Sequence, residues 1–130
     1  MFKKINRENK KGFTLAELLI VVAIIGVLVA ISIPIFTNQL EKSREATDAA
    51  NIRNAIADVS VQYLSADVVS DTGYAITVNL KQKTDGWVTA PEFLDSKGTA
   101  ISGAPGTPKA GGTCKVAIDK NGVLGLTFSK

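Results

Sequence analysis

The feature that most constrains this chain is an uninterrupted apolar run near its N-terminus. Residues 18–40 contain no charged side chain, and the most apolar part spans the 24 residues 13–36. Coiled at about 1.5 Å per residue, that part would form a helix roughly 36 Å long, enough to cross the hydrocarbon core of a bilayer. The sequence therefore predicts a membrane-spanning helix over residues 13–40.

Charge is distributed unevenly around this run. Residues 1–12 contain five basic side chains and one acid, so they carry more positive charge than the whole chain, whose net charge is +3. Basic residues before a span predict that the N-terminus stays in the cytoplasm and that the C-terminal part lies outside. Without residues 1–12 the chain has no general basic character, so we expect nucleic acid to be at most a weak partner.

The small residue beside the apolar run precedes the run, whereas in an ordinary secretory signal it follows the run. Such signals are cleaved after the apolar run, which is then discarded. Here the small residue at a plausible junction is Gly12, which precedes the run. Cleavage between Gly12 and Phe13 would remove a leader, residues 1–12, and would leave the apolar helix in the mature protein with a free amine at Phe13.

Glu17 places a carboxylate just inside the apolar run. A charge carried to the centre of a bilayer costs about 2.5–3.5 kcal/mol. In one interpretation Glu17 simply lies at the level of the headgroups. In the other, it pairs with the cationic amine of Phe13 on a neighbouring copy. Such pairing, repeated head to tail without closure, would build a helical filament.

Beyond Pro34 the helical pattern becomes one-sided. Between residues 27 and 73 there is no glycine and no other proline, so we expect one continuous helix over residues 13–64. Its second half, residues 41–64, is predicted to be amphipathic because apolar residues recur at steps of three and four. This stripe consists of Ala49, Ile52, Ile56, Val59 and Tyr63. The opposite, solvated face is predicted to carry Asp48, Arg53, Asn54 and Asp58.

Residues 65–130 are predicted to form a small antiparallel β head. Alternating apolar residues predict a strand over residues 74–80. Ala90–Leu94 is compatible with a brief helical turn opened by proline, and residues 96–113, rich in Gly, Pro, Ser and Thr, are predicted to be a long surface loop. The fold class is therefore α+β, with a long N-terminal helix packed on an antiparallel sheet of three or four strands.

The C-terminal residues predict a hairpin whose register depends on the turn. A two-residue Asn121-Gly122 turn would send the apolar residues of the two strands to opposite faces. A three-residue turn over residues 120–122 keeps them on one face, with Gly122 in the left-handed conformation and Cys114 facing the core. We prefer the second register, which pairs Ile118 with Leu124, Val116 with Leu126 and Cys114 with Phe128.

Several kinds of chemistry are disfavoured by composition. The chain contains no histidine, which excludes Ser-His-Asp and Cys-His arrangements and histidine-bearing zinc sites. Its single cysteine cannot form an intramolecular disulfide. The C-terminal acids lack metal-like spacing, so we expect no metal, no cofactor and no enzymatic activity. These acids are Asp85, Glu92, Asp95 and Asp119.

The basic residues of the head leave two interpretations open. Together with Trp87 they would provide a DNA-binding or adhesive surface, or they are only solvated side chains. The second interpretation is the one we favour, because the lysines are scattered along the sequence. They are Lys81, Lys83, Lys97 and Lys109.

Residues 10–40 closely resemble the N-terminal region of type IV pilins and of the related pseudopilins of type II secretion and competence systems. The resemblance depends on a basic leader, an acid at the fifth place after the junction and an uninterrupted apolar span. The matching residues are Gly12, Phe13, Thr14, Leu15, Glu17 and Pro34.

The resemblance implies how the chain is processed and where it works. A prepilin peptidase would cut after Gly12 on the cytoplasmic side and N-methylate Phe13. The subunit would wait in the inner (cytoplasmic) membrane until an assembly ATPase and a polytopic membrane platform draw it into a filament of identical copies on the cell surface. Phe13 and Glu17 would make the assembly contact, and the helices would form an apolar filament core.

Gly26 and Pro34 bear on the continuity of the helix. Proline removes a backbone donor and clashes with the preceding turn, and glycine weakens a helix. The resemblance implies that the helix can melt between these two residues in a filament. The alternative, which we expect for the isolated subunit, is a kink at Pro34 in an intact helix.

Four functions are compared at this stage. The leading one is a structural filament subunit, a major pilin, and its nearest rival is a major pseudopilin of a secretion or competence system. A singly anchored extracellular binding domain needs neither cleavage after Gly12 nor a partner for Glu17. An enzyme is the least favoured.

Overall fold

The computed structural model describes residues 12, 14–68 and 70–130. Within them lie one α-helix and a three-stranded sheet. The chain divides between Asn38 and Gln39 into two compact units. The elements are α1 (Leu15–Ser65), β1 (Tyr74–Asn79), β2 (Thr113–Ile118) and β3 (Leu124–Ser129). The α+β class and the packing of a long helix on a small antiparallel sheet are therefore confirmed.

In the first unit α1 passes without interruption through Gly26 and Pro34. Hydroxyl groups near the proline add hydrogen bonds to the helix backbone. Ser32 Oγ donates to the Leu28 carbonyl at 2.7 Å, and Thr37 Oγ1 donates to the Pro34 carbonyl at 2.9 Å. The helix is thus intact in the single subunit, and the kink expected at Pro34 stays a prediction.

In the second unit, which we call the head, α1 packs against a sheet with the strand order β1-β2-β3. The apolar stripe predicted for the helix supplies one side of the core, and Tyr63 at its end is half-buried. The other side comes from the sheet and from two loop residues, Phe93 and Ile101. The buried apolar residues are Ala49, Ile52, Ala55, Ile56, Val59, Leu80, Phe93, Ile101, Cys114, Val116, Ile118, Leu124 and Leu126.

The β2–β3 hairpin has the register that a three-residue turn predicts. Ile118 faces Leu124, and the pairing continues with the same offset to the ends of both strands. Gly122 has a φ of 84°, the left-handed conformation that glycine adopts without steric cost. Cys114 is fully buried, and burial raises the pKa of its thiol to about 11. The thiol is therefore a core group.

Two predictions for the long connection between β1 and β2 are wrong. Ala90–Leu94 forms no helical turn: Ala90 has a φ of 46°, and the Phe93 carbonyl accepts a hydrogen bond from the Ile101 N–H. The loop is also not wholly on the surface. Ile101 is 4% exposed, and Pro108 is fully buried. The connection contributes to the core because three strands and one helix leave part of the core uncovered.

Candidate assembly segment

The N-terminus of α1 is closed by a reciprocal pair of hydrogen bonds between Thr14 and Glu17. The Glu17 N–H donates to Thr14 Oγ1 at 3.1 Å, and the Thr14 N–H donates to Glu17 Oε2 at 3.0 Å. This is a capping box, which satisfies two of the backbone donors that a helix start leaves unpaired. A carboxylate in the first turn also interacts favourably with the helix dipole. Glu17 is therefore held in place by its own chain.

The segment that follows, residues 15–36, exposes nearly all its apolar side chains. Among the described residues α1 is the one helix long and apolar enough to cross a membrane, and none of its most apolar window is buried. An apolar surface of this size is not left in water by a soluble monomer. The exposed large residues are Leu15, Leu18, Leu19, Ile20, Val21, Val22, Ile24, Ile25, Val27, Leu28, Val29, Ile31, Ile33, Ile35 and Phe36.

The residues predicted to form the assembly site are only partly described. Gly12 is exposed, and Phe13 lies outside the described residues, as does most of the leader. Thr14 and Glu17 are brought together by the capping box. A Cβ added at Gly26 would meet nothing within 4 Å, so the glycine is not needed for packing within the subunit.

Three buried carboxylates in the head were missed by the sequence analysis, and one of them, Asp48, contradicts it. Asp48 was predicted on the solvated face of the helix, but it is 0% exposed, and Glu41 and Glu45 are 7% and 1% exposed. They occur at steps of four and three that continue directly into the apolar stripe at Ile52. That spacing was the available signal, and it was overlooked because charged side chains are normally solvated.

Each of these carboxylates, which we call the helix carboxylates, accepts backbone N–H groups from residues 81–89. Asp48 Oδ1 accepts the Lys81 N–H at 2.7 Å, and Asp48 Oδ2 accepts the Gln82 N–H at 2.9 Å. Glu45 Oε1 accepts the Val88 N–H at 2.7 Å. Buried charges are tolerated when hydrogen bonds replace the lost water. The helix carboxylates thus fasten the first part of the loop to α1.

Glu41 completes this arrangement at the solvent side. Its Oε1 accepts the Lys83 N–H at 2.8 Å and the Thr84 N–H at 3.1 Å, and Arg44 lies 3.3 Å from Oε2. Burial alone would raise the pKa of Glu41. The hydrogen bonds from Lys83, Thr84 and Arg44 outweigh that effect and hold its pKa below the ordinary value.

Two further acids of the head, Asp95 and Asp119, hold turns. Asp95 Oδ1 accepts the Thr99 and Lys97 N–H groups, and these bonds lower the pKa of Asp95. Asp119 Oδ1 accepts the Asn121 and Val123 N–H groups of the hairpin turn. Within residues 12, 14–68 and 70–130, no three potential metal ligands cluster. The acids of these two turns are thus engaged in local structure.

Trp87 is packed into the head and is not an exposed stacking platform. Its ring centroid lies 5.9 Å from that of Phe93 and 6.1 Å from that of Phe128. Its indole N–H donates to the Pro105 carbonyl at 2.7 Å. The alternative of a DNA-binding or adhesive surface with Trp87, which the sequence analysis disfavoured, therefore gains no support at this residue.

The N-terminal region of this chain is also similar in sequence to known proteins. Residues 7–33 match the family model described as the prokaryotic N-terminal methylation motif. The match covers the residues directly before α1 and the first part of its apolar segment. No solved structure gives a significant match to the chain.

The similar curated proteins are fimbrial subunits. The chain is 36% identical over 128 residues to a type IV major fimbrial protein FimA of Dichelobacter nodosus, covering 93% of this chain and 72% of that protein. It is 32% identical over 116 residues to a fimbrial protein of Pseudomonas aeruginosa, covering 73% and 75%. A shorter match of 55 residues, 47% identical, links it to the type IV narrow pilus major component PilA5 of Thermus thermophilus, covering 40% and 47%. This chain belongs to the type IV pilin family.

Proposed function

We propose that this chain is the major structural subunit of a type IV pilus. A prepilin peptidase removes residues 1–12 by cleavage after Gly12, and Phe13 is N-methylated. The subunit is stored in the cytoplasmic membrane through residues 13–40, and an assembly ATPase with its membrane platform polymerises it into a surface filament. The match of residues 7–33 to a methylation motif and the similarity to major fimbrial proteins support this proposal.

The observation that carries the proposal is the combination of an exposed apolar segment with a carboxylate at its start. Glu17 Oε2 accepts the Thr14 N–H, and no hydrogen bond to Oε1 is found among the described residues. Glu17 is thus positioned by its own chain with one oxygen available for a cationic amine. The Phe13 amine of a neighbouring copy would supply that cation, and the exposed apolar side chains would pack around the pair.

The capping box provides an alternative explanation for Glu17 that an experiment can separate. Glu17→Gln retains a side chain that can close a capping box but removes the charge. Thr14→Ala removes the hydroxyl half of the box but retains the charge. If charge pairing drives assembly, Glu17→Gln should insert normally into the membrane but form few filaments, whereas Thr14→Ala should form near-normal numbers. If instead Thr14→Ala forms few filaments and Glu17→Gln forms near-normal numbers, Glu17 acts only as a helix cap.

Processing is tested at the junction itself. A large residue in Gly12→Leu should block cleavage and leave uncut protein on an immunoblot, whereas Gly12→Ala, still small, serves as the matched control. Mass spectrometry of the wild type should find an N-terminus at Phe13 that is heavier by one methyl group. An intact Met1 in the wild-type protein would refute cleavage.

The rival is a major pseudopilin of a secretion or competence system, which shares the same N-terminal machinery. Two of the relatives are a type IV major fimbrial protein and a type IV pilus major component, which favours the pilus. Electron microscopy of producing cells separates the two. Long surface fibres composed mainly of this chain are expected, and their absence despite normal processing would favour the pseudopilin.

A further inference from the structure

The two edges of the sheet in the head differ in how they are covered. Along β3, Ser102 forms a parallel bridge with Gly125, and its carbonyl accepts the Leu126 N–H at 2.9 Å. No comparable segment runs along the outer side of β1 in the described part of the chain, where β1 pairs with β2 alone. One edge of the sheet is therefore protected, and the other is open.

The backbone groups on the open edge can be identified from the register. The Leu80 N–H donates to the Gly112 carbonyl at 2.9 Å, so the even-numbered residues of β1 bond to β2. Because the bonds of an antiparallel ladder alternate along a strand, the N–H and carbonyl groups of residues 75, 77 and 79 point away from the sheet. These residues are exposed, and no hydrogen bond to their backbone groups is found in residues 70–130.

Just beyond the end of β1, at Lys81, the same edge of the sheet is covered by another part of the protein. Lys81 follows in the odd-numbered series, and its N–H is taken by Asp48 of the helix carboxylates. The open stretch is thus confined to Ala75, Thr77 and Asn79. Two of the usual protections of an edge strand are absent from β1, because it contains no charged residue and no proline.

The residues flanking β1 have opposite charges at its two ends. Asp71 precedes the strand, whereas Lys81 and Lys83 follow it, and all three side chains are exposed. None of them has an ion-pair partner among the described residues. An antiparallel pairing of two identical strands places the acidic end of one beside the basic end of the other, whereas a parallel pairing would place like charges together.

We propose that β1 is a docking edge for β1 of a second copy of this chain. The two strands pair antiparallel with Thr77 opposite Thr77, so that Ala75 faces Asn79. The half-buried Ile76 and Val78 of each copy would be covered by those of the other, and the two three-stranded sheets would become one. The contact goes beyond the proposed function, because two copies can make it whether or not filaments form.

The symmetry of this contact determines what it can build. A two-fold interface uses the same patch on both partners and closes on itself, so it cannot extend a head-to-tail filament. It joins two copies that belong to different filaments or two copies that are still unassembled. In a population of pili it therefore favours lateral association.

Cysteine cross-linking of the full-length protein in mild detergent tests the contact directly. Thr77→Cys should form a disulfide-linked dimer at least about tenfold faster than Thr127→Cys, because Cα atoms of a hydrogen-bonded pair lie about 5.5 Å apart, within disulfide range. Thr127 is a matched control, since both threonines are exposed and both lie beside Lys115 in the sheet. Cys114 is buried and does not compete. Equal rates would overturn the proposal.

A mixture of two cysteine variants tests the register in which the two β1 strands pair. Ala75→Cys and Asn79→Cys proteins, combined, should give mixed dimers several-fold faster than either protein gives dimers by itself. If Ala75→Cys alone dimerises as fast as the mixture, pairing about Thr77 is wrong.

A charge variant tests the consequence for filaments. Thr77→Lys places like charges directly opposite each other and should weaken dimerisation on the order of tenfold in sedimentation measurements, whereas Thr127→Lys should not. Cells producing Thr77→Lys should carry as many filaments as the wild type but fewer bundles. Unchanged bundling together with unchanged dimerisation would overturn the proposal. Absence of filaments in the wild type would count against the proposed function and leave the cross-linking result standing.

Discussion

The two units of the chain differ in where their apolar side chains lie. In the first unit the apolar side chains are outside, as Ile24 with 55% exposure illustrates. In the second, Ile52 is fully buried, and the helix carboxylates lie inside beside it. The first unit therefore depends on a surrounding bilayer or on other copies, whereas the second is stabilised by its own contacts. Substitutions in the head should change the free energy of unfolding of a single copy, and substitutions in the apolar segment should change assembly.

The largest effect is expected from Phe93, which is 1% exposed and contacts Trp87. Phe93→Ala should lower the free energy of unfolding by about 3–5 kcal/mol, because it removes a large buried ring. Urea titration of the detergent-solubilised protein, followed by the fluorescence of its single tryptophan, measures this. The neighbouring Leu94, 46% exposed, is the control, and Leu94→Ala should have little effect. Similar losses for the two variants would mean that burial in the head is not what stabilises it.

Two glycines offer the next comparison between the units. Gly73 has a φ of 74°, and an added Cβ would meet the Ile118 carbonyl oxygen, whereas a Cβ at Gly26 meets nothing. Gly73→Ala should therefore cost about 2–3 kcal/mol of head stability in the same titration. Gly26→Ala should leave that stability unchanged and act, if at all, on filament yield. A loss of head stability from Gly26→Ala would contradict the separation of the units.

Each of the helix carboxylates should contribute less to the free energy of unfolding than Phe93 does. Asp48→Asn replaces one acceptor oxygen with an amide nitrogen that cannot accept the loop N–H groups, so we expect a loss of about 1–3 kcal/mol. Asp58→Asn, an exposed position on the same helix, is the control and should be neutral. If the Asp48→Asn variant unfolds at the wild-type urea concentration, the buried hydrogen bonds contribute nothing net.

The smallest effect concerns pH. The pKa of Glu41 is lowered in the folded protein, so its contribution is present above the ordinary value of 4.5 and is lost as pH falls through the folded-state value. Urea midpoints recorded from about pH 7 down to about pH 3 should fall less steeply for Glu41→Gln than for the wild type. Glu92→Gln, an exposed acid of the head, should retain the wild-type slope. Identical slopes for all three proteins would rule out a role for Glu41.

Local patterns in the sequence were sufficient for much of this fold. The apolar run, the helical stripe and the hairpin register depend on residues that are close together along the chain. The register is the clearest case, since a three-residue turn places Val116 and Leu126 on the same face and a two-residue turn does not. The Thr14–Glu17 capping box is also local, and its Ser/Thr-x-x-Glu spacing was readable, although the sequence analysis did not use it.

The features that could not be predicted depend on residues far apart in sequence. Asp48 lies 33 positions from Lys81, whose N–H it binds, and nothing near either residue indicates that pairing. Ala90–Leu94 resembles a helix start locally, but its backbone groups bond to the rest of the head instead. The proposed assembly contact is harder still to predict from one chain, because its second partner would belong to another copy.

The helix carboxylates also determine how freely the surface of the head can vary. They bind main-chain N–H groups, so the side chains at Lys81, Lys83 and Val88 play no part in those bonds and project outward, exposed. Every amino acid except proline supplies the same N–H. The exposed side chains at these positions can therefore be exchanged for others without loss of the bonds that hold the loop to the helix.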